Sequence, residues 1–541
     1  MAADLVVRNA RVHTVGGSGP PPSAVAVAGD RIALVGDDAD VADLTGPGTE
    51  VLDAAGATVL PGFVDAHNHV RLGSNPGAVQ LFRATSLEEV RDAVAAFAAA
   101  HPQADWIEGE GWNYSAIPGG TPTAAMLDGL VPGRAAFLFS YDVHTVWLNR
   151  EAMVRLGVTR DAEWLPWGRV EKDPDGEPTG FVTDFAVLGI SEEGQRALAP
   201  HVPGYAPSAQ YERLRASLDL AASLGITTIV EPQNGLDDLD LFARARDEGA
   251  LRSRLVAAML CLPGTTGERL DALEGARRRF DDDRLRVAPI KLYIDDVIEP
   301  HTAAMLAPYA NRPDTSGDTF WEPEAFAAFL LEAERRGFQT YTHATGDRGI
   351  RTVLDAVEAC RAAHGPRDAR HQIVHVECVH PDDLPRFAAL GVVACMQPRH
   401  CAPDIVGEWR ANVGPERERF AWPLRSLAEH GATLAFSSDW NVAEMDPMTW
   451  LYTACTRADL EGHDAWNQEE TVDLVTAVRA ATLGSAYAIF AERDRGSIVR
   501  GAYADLAVLD RDIFALEDPR ELLQTRVTHT VVGGEVVHRR G

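Results

Sequence analysis

Six polar side chains stand in or immediately after short apolar runs, where such residues are costly unless something holds them. His67 and His69 follow TVLPGFVDA, Lys291 lies inside RVAPIKLYID, His343 inside FQTYTHA, His375 inside HQIVHVEC, and Asp439 inside TLAFSSDW. Several unpaired polar groups converging in one core would each cost kcal/mol. A divalent cation removes that cost by taking them as ligands. On an extended strand residues i and i+2 share a face, so His67 and His69 can grip one ion while Asn68 points away. A lone histidine on such a strand is more often a hydrogen-bonded core residue; the convergence of six is what points to a metal.

Lys291 carries a separate argument. The chain has only two lysines, Lys172 and Lys291, among 50 Lys+Arg. Arginine cannot lose its proton in a protein, whereas a desolvated lysine can become a neutral amine. That amine can add carbon dioxide to give a carbamate, whose two oxygens could bridge two metal ions. The alternative is a buried lysine paired with Asp295 or Asp296. The chemistry alone leaves both open.

The elements that must position these residues are legible around them. Eight apolar runs, 58–66, 225–231, 252–261, 286–295, 338–344, 371–378, 391–397 and 433–440, read as strands, with helix-period segments between many of them, such as 322–336 and 347–363. Buried strands alternating with helices imply a parallel sheet. Eight units fit a closed (β/α)8 barrel of TIM type, an α/β fold that builds its active site at the C-terminal ends of its strands. Residues 71–224 are too long for one loop and predict an insertion with its own helices and turns. Both ends of the chain read as short strands and turns, including the Gly533-Gly534 hairpin signal. They predict one small composite β-domain from both termini. The expected organisation is 1–57 for the first part of that domain, 58–484 for the barrel, and 485–541 for the second part.

Composition narrows the partners. The 541 residues are 46% hydrophobic and 24% charged, with a formal net charge of −30. That acidity repels phosphate backbones and anionic lipid, so neither nucleic acid nor membrane is an expected partner. No signal peptide and no apolar run of spanning length is evident. The six cysteines are widely spaced and form no CxxC pair. They read as reduced thiols of a cytoplasmic protein.

PGFVDAHNH, the strand lysine, THATGDRG, IVHVE and SSDW together resemble the metal motifs of the amidohydrolase superfamily. The closer likeness is to the branch containing N-substituted formamide deformylases, amidohydrolase family 3, and it runs nearly end to end through GWNYS, YDVHTVWLN, DGEPTGF and VVGGEVV. The resemblance implies a (β/α)8 barrel with a composite β-sandwich from both termini, and metal-dependent hydrolysis. It implies that His67 and His69 bind the more buried metal, and that Lys291, as N6-carboxylysine, bridges to a second metal held by His343 and His375. Asp439 would contact the first metal and handle protons. One or two divalent ions, zinc foremost, are expected, as is a small-molecule substrate, and a homodimer is the simplest assembly.

Such a metal lowers the pKa of bound water from about 15.7 towards 7, and polarises a carbonyl. The expected reaction is hydrolysis of a C–N bond in an N-formyl, N-acyl or cyclic amide by metal-activated hydroxide, with Asp439 as proton shuttle. The alternatives are an ester, lactone or carbamate hydrolase on the same site, or a metal-dependent lyase or isomerase. His144 is expected to donate to the substrate carbonyl, and Trp112, Tyr114 and Trp440 to line an aromatic pocket. His101, His201, His301, His364, His400, His463 and His538 read as ordinary loop or helix residues.

Overall fold

The computed structural model describes residues 2–17, 19–73 and 75–540. Its centre is an eight-stranded sheet in chain order: β1 (Phe63–Asp65), β2 (Ile226–Asn234), β3 (Arg254–Leu260), β4 (Leu285–Tyr293), β5 (Thr340–Ala344), β6 (Gln372–His375), β7 (Val393–Met396) and β8 (Leu434–Phe436). Every neighbouring pair is parallel. The seam between β8 and β1 is closed beyond the strand ends. Ala66 N–H donates to the Phe436 carbonyl at 3.3 Å, Asp439 N–H to His67 at 2.8 Å, and His69 N–H to Trp440 at 2.7 Å. The sheet is therefore a barrel, as the alternation of apolar runs and helices requires.

Both faces of these strands are covered, which explains their near-continuous apolar character. Small residues fill the interior, among them Val64, Val230, Ala258, Val374 and Ala435. Helices form the outer layer. The helix Pro323–Arg335 buries Phe326, Leu330 and Ala333, and Asp347–His364 buries Ile350, Val353, Leu354 and Val357. Proline at the start of the first and Gly337 (φ 75°) just beyond its end bound it as helix chemistry dictates.

The structure corrects two expectations. The strand anticipated over 58–66 is two strands broken at Gly62. Thr58–Pro61 joins a terminal sheet, and only Phe63–Asp65 enters the barrel. A Cβ on Gly62 would lie 2.1 Å from the Thr227 side chain, so glycine alone allows the chain to pass β2 there. The insertion over 71–224 does contain helices, but its frame is a seven-stranded mixed sheet that the sequence reading missed. Strands such as Trp106–Trp112 (WIEGEGW) and Ala135–Ser140 (AAFLFS) lack the alternation that marks a half-exposed strand. Their sheet is packed on both faces, against one apolar cluster around Trp112 and another around Phe137.

The two ends of the chain meet as expected. One sheet holds Arg11–Val12 and Thr58–Pro61 beside Leu506–Leu509, Val527–Val532 and Glu535–Arg539. A second, four-stranded sheet is made wholly from residues 5–53, and the two share a core containing Val7, Val27, Val59, Leu506 and Val531. Arg254, at the start of β3, ties this sandwich to the barrel. Its Nε and one terminal nitrogen donate to the two Asp505 oxygens at 2.8 and 3.0 Å, and the other terminal nitrogen donates to Asp283 at 2.9 Å. All six cysteines are unpaired. Among the described residues no helix is long and apolar enough to cross a membrane.

Candidate metal centre

The barrel seam builds the site. Asp65, the last residue of β1, accepts hydrogen bonds from Ser438 Oγ at 2.6 Å, Ser438 N–H at 3.0 Å and Asn68 Nδ2 at 2.8 Å. One buried carboxylate thus fixes both the His67–His69 turn and the segment bearing Asp439. Burial pushes Asp65 up to about 7, against the pull of those donors.

Asp439 stands between two pairs of imidazoles. His67 Nε2 and His69 Nε2 lie 3.2 and 3.3 Å from its Oδ1; His375 Nδ1 and His400 Nε2 lie 3.8 and 3.7 Å from its Oδ2. Although two ring nitrogens approach Oδ1 closely, no aligned hydrogen bond reaches it. His67, His375 and Asp439 each offer one ligand atom within 4.8 Å of the others. That is how ligands group round an ion.

Tautomers can be read from the partners. The Tyr341 hydroxyl donates its single proton to the Ala66 carbonyl at 2.6 Å, so it must accept from His67 Nδ1. The His67 Nε2 lone pair then faces Asp439, ready for a metal. His343 Nε2 sits 2.9 Å from the Asp296 carbonyl and must donate to it, which leaves its Nδ1 lone pair free. Burial keeps these rings neutral: His67 falls to about 3, His69 is lowered, and His343 and His375 fall well below the usual range. Asp439 stays ionised. Burial opposes its charge, but any proton taken up by the cluster goes to His67, His69 or His375 first, and a protonated ring there draws the carboxyl well below the ordinary range. Neutral imidazoles around a carboxylate, with His69 Nδ1 and His400 Nε2 lacking partners, are a donor set that fits a divalent cation.

Lys291 is wholly buried beneath these residues. Among the described residues its Nζ has no hydrogen-bond partner, and it lies 4.4 and 5.4 Å from the ring centres of Tyr293 and Tyr341. Burial lowers it to about 7, with Asp439 opposing. Neither aspartate considered as its partner pairs with it. Asp295 accepts from the Ala304, Thr345 and Gly346 amides, while Asp296 holds His144 and Thr302. A neutral, unpartnered amine is the form that can take up carbon dioxide.

The cavity above is lined by His67, His69, His144, His343, His375 and Asp439, with His400, Glu299 and Glu377 completing its polar wall. His144 sits on the hairpin loop between Ala135–Ser140 and Val146–Leu148, with its amide donating to Asp142 at 3.0 Å. Its Nδ1 is hydrogen-bonded to Asp296. Burial disfavours its charge, but Asp296, then Asp142 and Asp439, raise it to about 9. The ring is therefore an imidazolium at neutral pH. The linkage has the usual sign for a raised histidine: the stabilisation is complete below 6.5 and lost as pH rises through about 9. Asp296→Asn is expected to return His144 towards 6.5, read by NMR titration of its ring.

Three other expectations are corrected. Trp112 and Tyr114 do not line the cavity. Trp112 is fully buried in the core of the inserted sheet, and the Tyr114 hydroxyl bonds Asp142 and Thr145, supporting the His144 loop from behind. Trp440 borders a neighbouring recess with Arg399 and Asp404 rather than the metal cavity. Conversely, His400 is no ordinary loop residue. It follows β7, a strand with no histidine or carboxylate of its own, and shares with His375 and Glu377 a second possible donor set. The i, i+2 spacing of His375 and Glu377 repeats that of His67 and His69, and was the available signal.

Comparison with known proteins agrees with this geometry. The profile of a family described as amidohydrolase family matches residues 50–538. Protein LONG AFTER FAR-RED 3 of Arabidopsis thaliana is 28% identical over 99% of this chain and 92% of its own. The N-substituted formamide deformylase of Arthrobacter pascens is 27% identical over 99% of this chain and 98% of its own. A crystal structure of an uncharacterized metal-dependent hydrolase from Pyrococcus furiosus superposes with a TM-score of 0.70 at 25% identity, covering 93% of this chain and 98% of that one.

Proposed function

The chain belongs to the amidohydrolase family, and from that premise we propose a zinc-dependent hydrolase that cleaves the C–N bond of an N-formyl, N-acyl or cyclic amide. The observation that carries this reading is the set of neutral imidazoles turned towards one ionised carboxylate at the barrel seam. His67, His69 and Asp439 would hold the first ion; Lys291 as a carbamate, with His343 and His375, would hold a second. A divalent ion supplies Lewis acidity, which makes water a better nucleophile and a carbonyl a better electrophile.

The chain's own residues do the rest. The His144 imidazolium, facing the cavity, is placed to donate a hydrogen bond to a carbonyl oxygen as negative charge grows on it. Asp439 can take a proton from water at Oδ2 and return it to the departing nitrogen. Asp142 and Asp296 keep His144 charged and aimed. The formamide deformylase among the relatives supports N-formyl amines as the first substrates to try.

A panel of N-formyl and N-acyl amines tests the proposal. Amine release should occur with metal-loaded protein, cease with a chelator and return on adding zinc. Turnover that survives complete removal of metal, or amides left intact while esters or lactones are cleaved, would sink it.

A further inference from the structure

Next to the metal cavity lies a second, smaller one, inside the wall made by the inserted sheet and the chain after β1 and β8. The two share Leu72, Tyr141, Val143 and Ile190, so one partition separates them. Phe82, Phe139, Phe185 and Tyr205 give the second cavity aromatic sides.

Its polar groups are set for a ligand they do not contain among themselves. Glu110 is 5% exposed, and its Oε1 accepts from Asn75 N–H at 2.8 Å. Its Oε2 is sealed from solvent and has no partner among the described residues. Asn441 donates through Nδ2 to the Gly73 carbonyl at 3.3 Å, which fixes its amide and leaves Oδ1 buried and unpartnered. Arg213 bonds the Gly204 carbonyl through one terminal nitrogen, while its Nε is likewise buried without an acceptor. No ion pair joins Arg213 to Glu110. Glu108 accepts Gly204 N–H at 3.0 Å, and Arg71 donates to Gln195 and to the Gln233 carbonyl, its Nε standing 3.5 Å from Asp238 without an aligned hydrogen bond. A buried acid and a half-buried guanidinium left unpaired in one cavity are costly, unless a ligand carrying both charges completes them.

The two orphan acceptors and the Arg213 Nε, which has no carboxylate beside it, match the head group of an α-amino acid, its ammonium facing Glu110 and Asn441 and its carboxylate facing Arg213. We propose that this cavity holds the free amino-acid head of a substrate whose side-chain nitrogen carries the acyl group presented to the metal cavity. The inference rests on the amide-hydrolase reading above. Water adds to the acyl carbon, the carbon–nitrogen bond breaks, and a carboxylic acid and a diamino acid leave. The aromatic sides and the thin partition suit a spacer that is a ring or an alkyl chain.

Matched substrates test it. Nε-formyl-L-lysine is compared with N-butylformamide, and 4-formamido-L-phenylalanine with formanilide. In at least one pair the amino acid should show a KM about tenfold or more below its headless partner, as one charge-assisted hydrogen bond provides. Glu110→Gln and Arg213→Met should each raise that KM by ~10–100-fold. They should leave kcat and the headless substrate unchanged, and Arg213→Lys should recover part of the loss. Calorimetry gives a readout apart from turnover. L-lysine or 4-amino-L-phenylalanine should bind chelator-treated protein, and binding should vanish in Glu110→Gln. If no amide is hydrolysed yet this binding behaves as stated, the head-group site stands and the reaction assigned to the metal centre falls. Equal KM values within both pairs, or variants that weaken both members alike, would overturn the proposal.

Discussion

Asparagine in place of Asp439 is expected to lower kcat by ~10³–10⁴-fold while the protein stays folded. The substitution keeps the shape of a side chain that is 4% exposed and removes only its charge and its capacity to take a proton. Two effects combine. The carboxylate now stands within 3.2–3.8 Å of four imidazoles, so the site loses the anion that balances a bound cation. It also loses the group placed between water and the departing nitrogen. Metal content measured beside kcat separates the two. A variant that retains its ion and still turns over within tenfold of the parent would show that Asp439 carries no proton. His67→Asn makes the complementary case, because it removes a ligand and leaves the carboxylate.

The largest effect on stability is expected at Arg254. Replacing it with alanine should destabilise the fold by about 3–5 kcal/mol, because Asp505 would be left as a buried charge without its partner. Arg254 is 1% exposed, and its bidentate bond to Asp505 is joined by Gly533 N–H at 2.7 Å from Asp505 Oδ1. Three parts of the chain therefore converge on one carboxylate: β3, the strand after Ala504 and the terminal hairpin. Asp505→Asn should cost less than Arg254→Ala, and the double variant less than the two summed, since the second change no longer strands a charge. Denaturant unfolding of the four proteins measures this. Full additivity would mean that the pair makes no linked contribution.

Much of this architecture was legible in the chain. Every barrel strand overlaps one of the apolar runs that marked them, and six lie wholly inside, because a strand buried on both faces must be apolar at nearly every position. What failed was the reading of places where two elements abut. Nothing in TVLPGFVDA signals that Gly62 hands the chain from one sheet to another; the reason lies in Thr227, far away in sequence. The inserted sheet was missed for a related cause, since strands covered on both sides lose their period. Aromatic residues misled because a tryptophan looks alike to sequence whether it packs a core, as Trp112 does, or borders a recess, as Trp440 does. His400 reads as an ordinary residue and Glu377 draws no notice in the sequence, because only closure of the ring brings them beside His375 and Asp439.

That closure has a temporal consequence. His67 and His69 are made early in synthesis and Asp439 late, and Asp65 can fasten the two only once Ser438 has left the ribosome. A nascent or truncated chain ending before that serine owns most of the imidazoles yet has no counter-anion to gather them. Tight uptake of an ion is thus expected only of a chain grown past Asp439: the segment that Asp65 fastens to complete the circle of strands is also the one that brings the counter-anion.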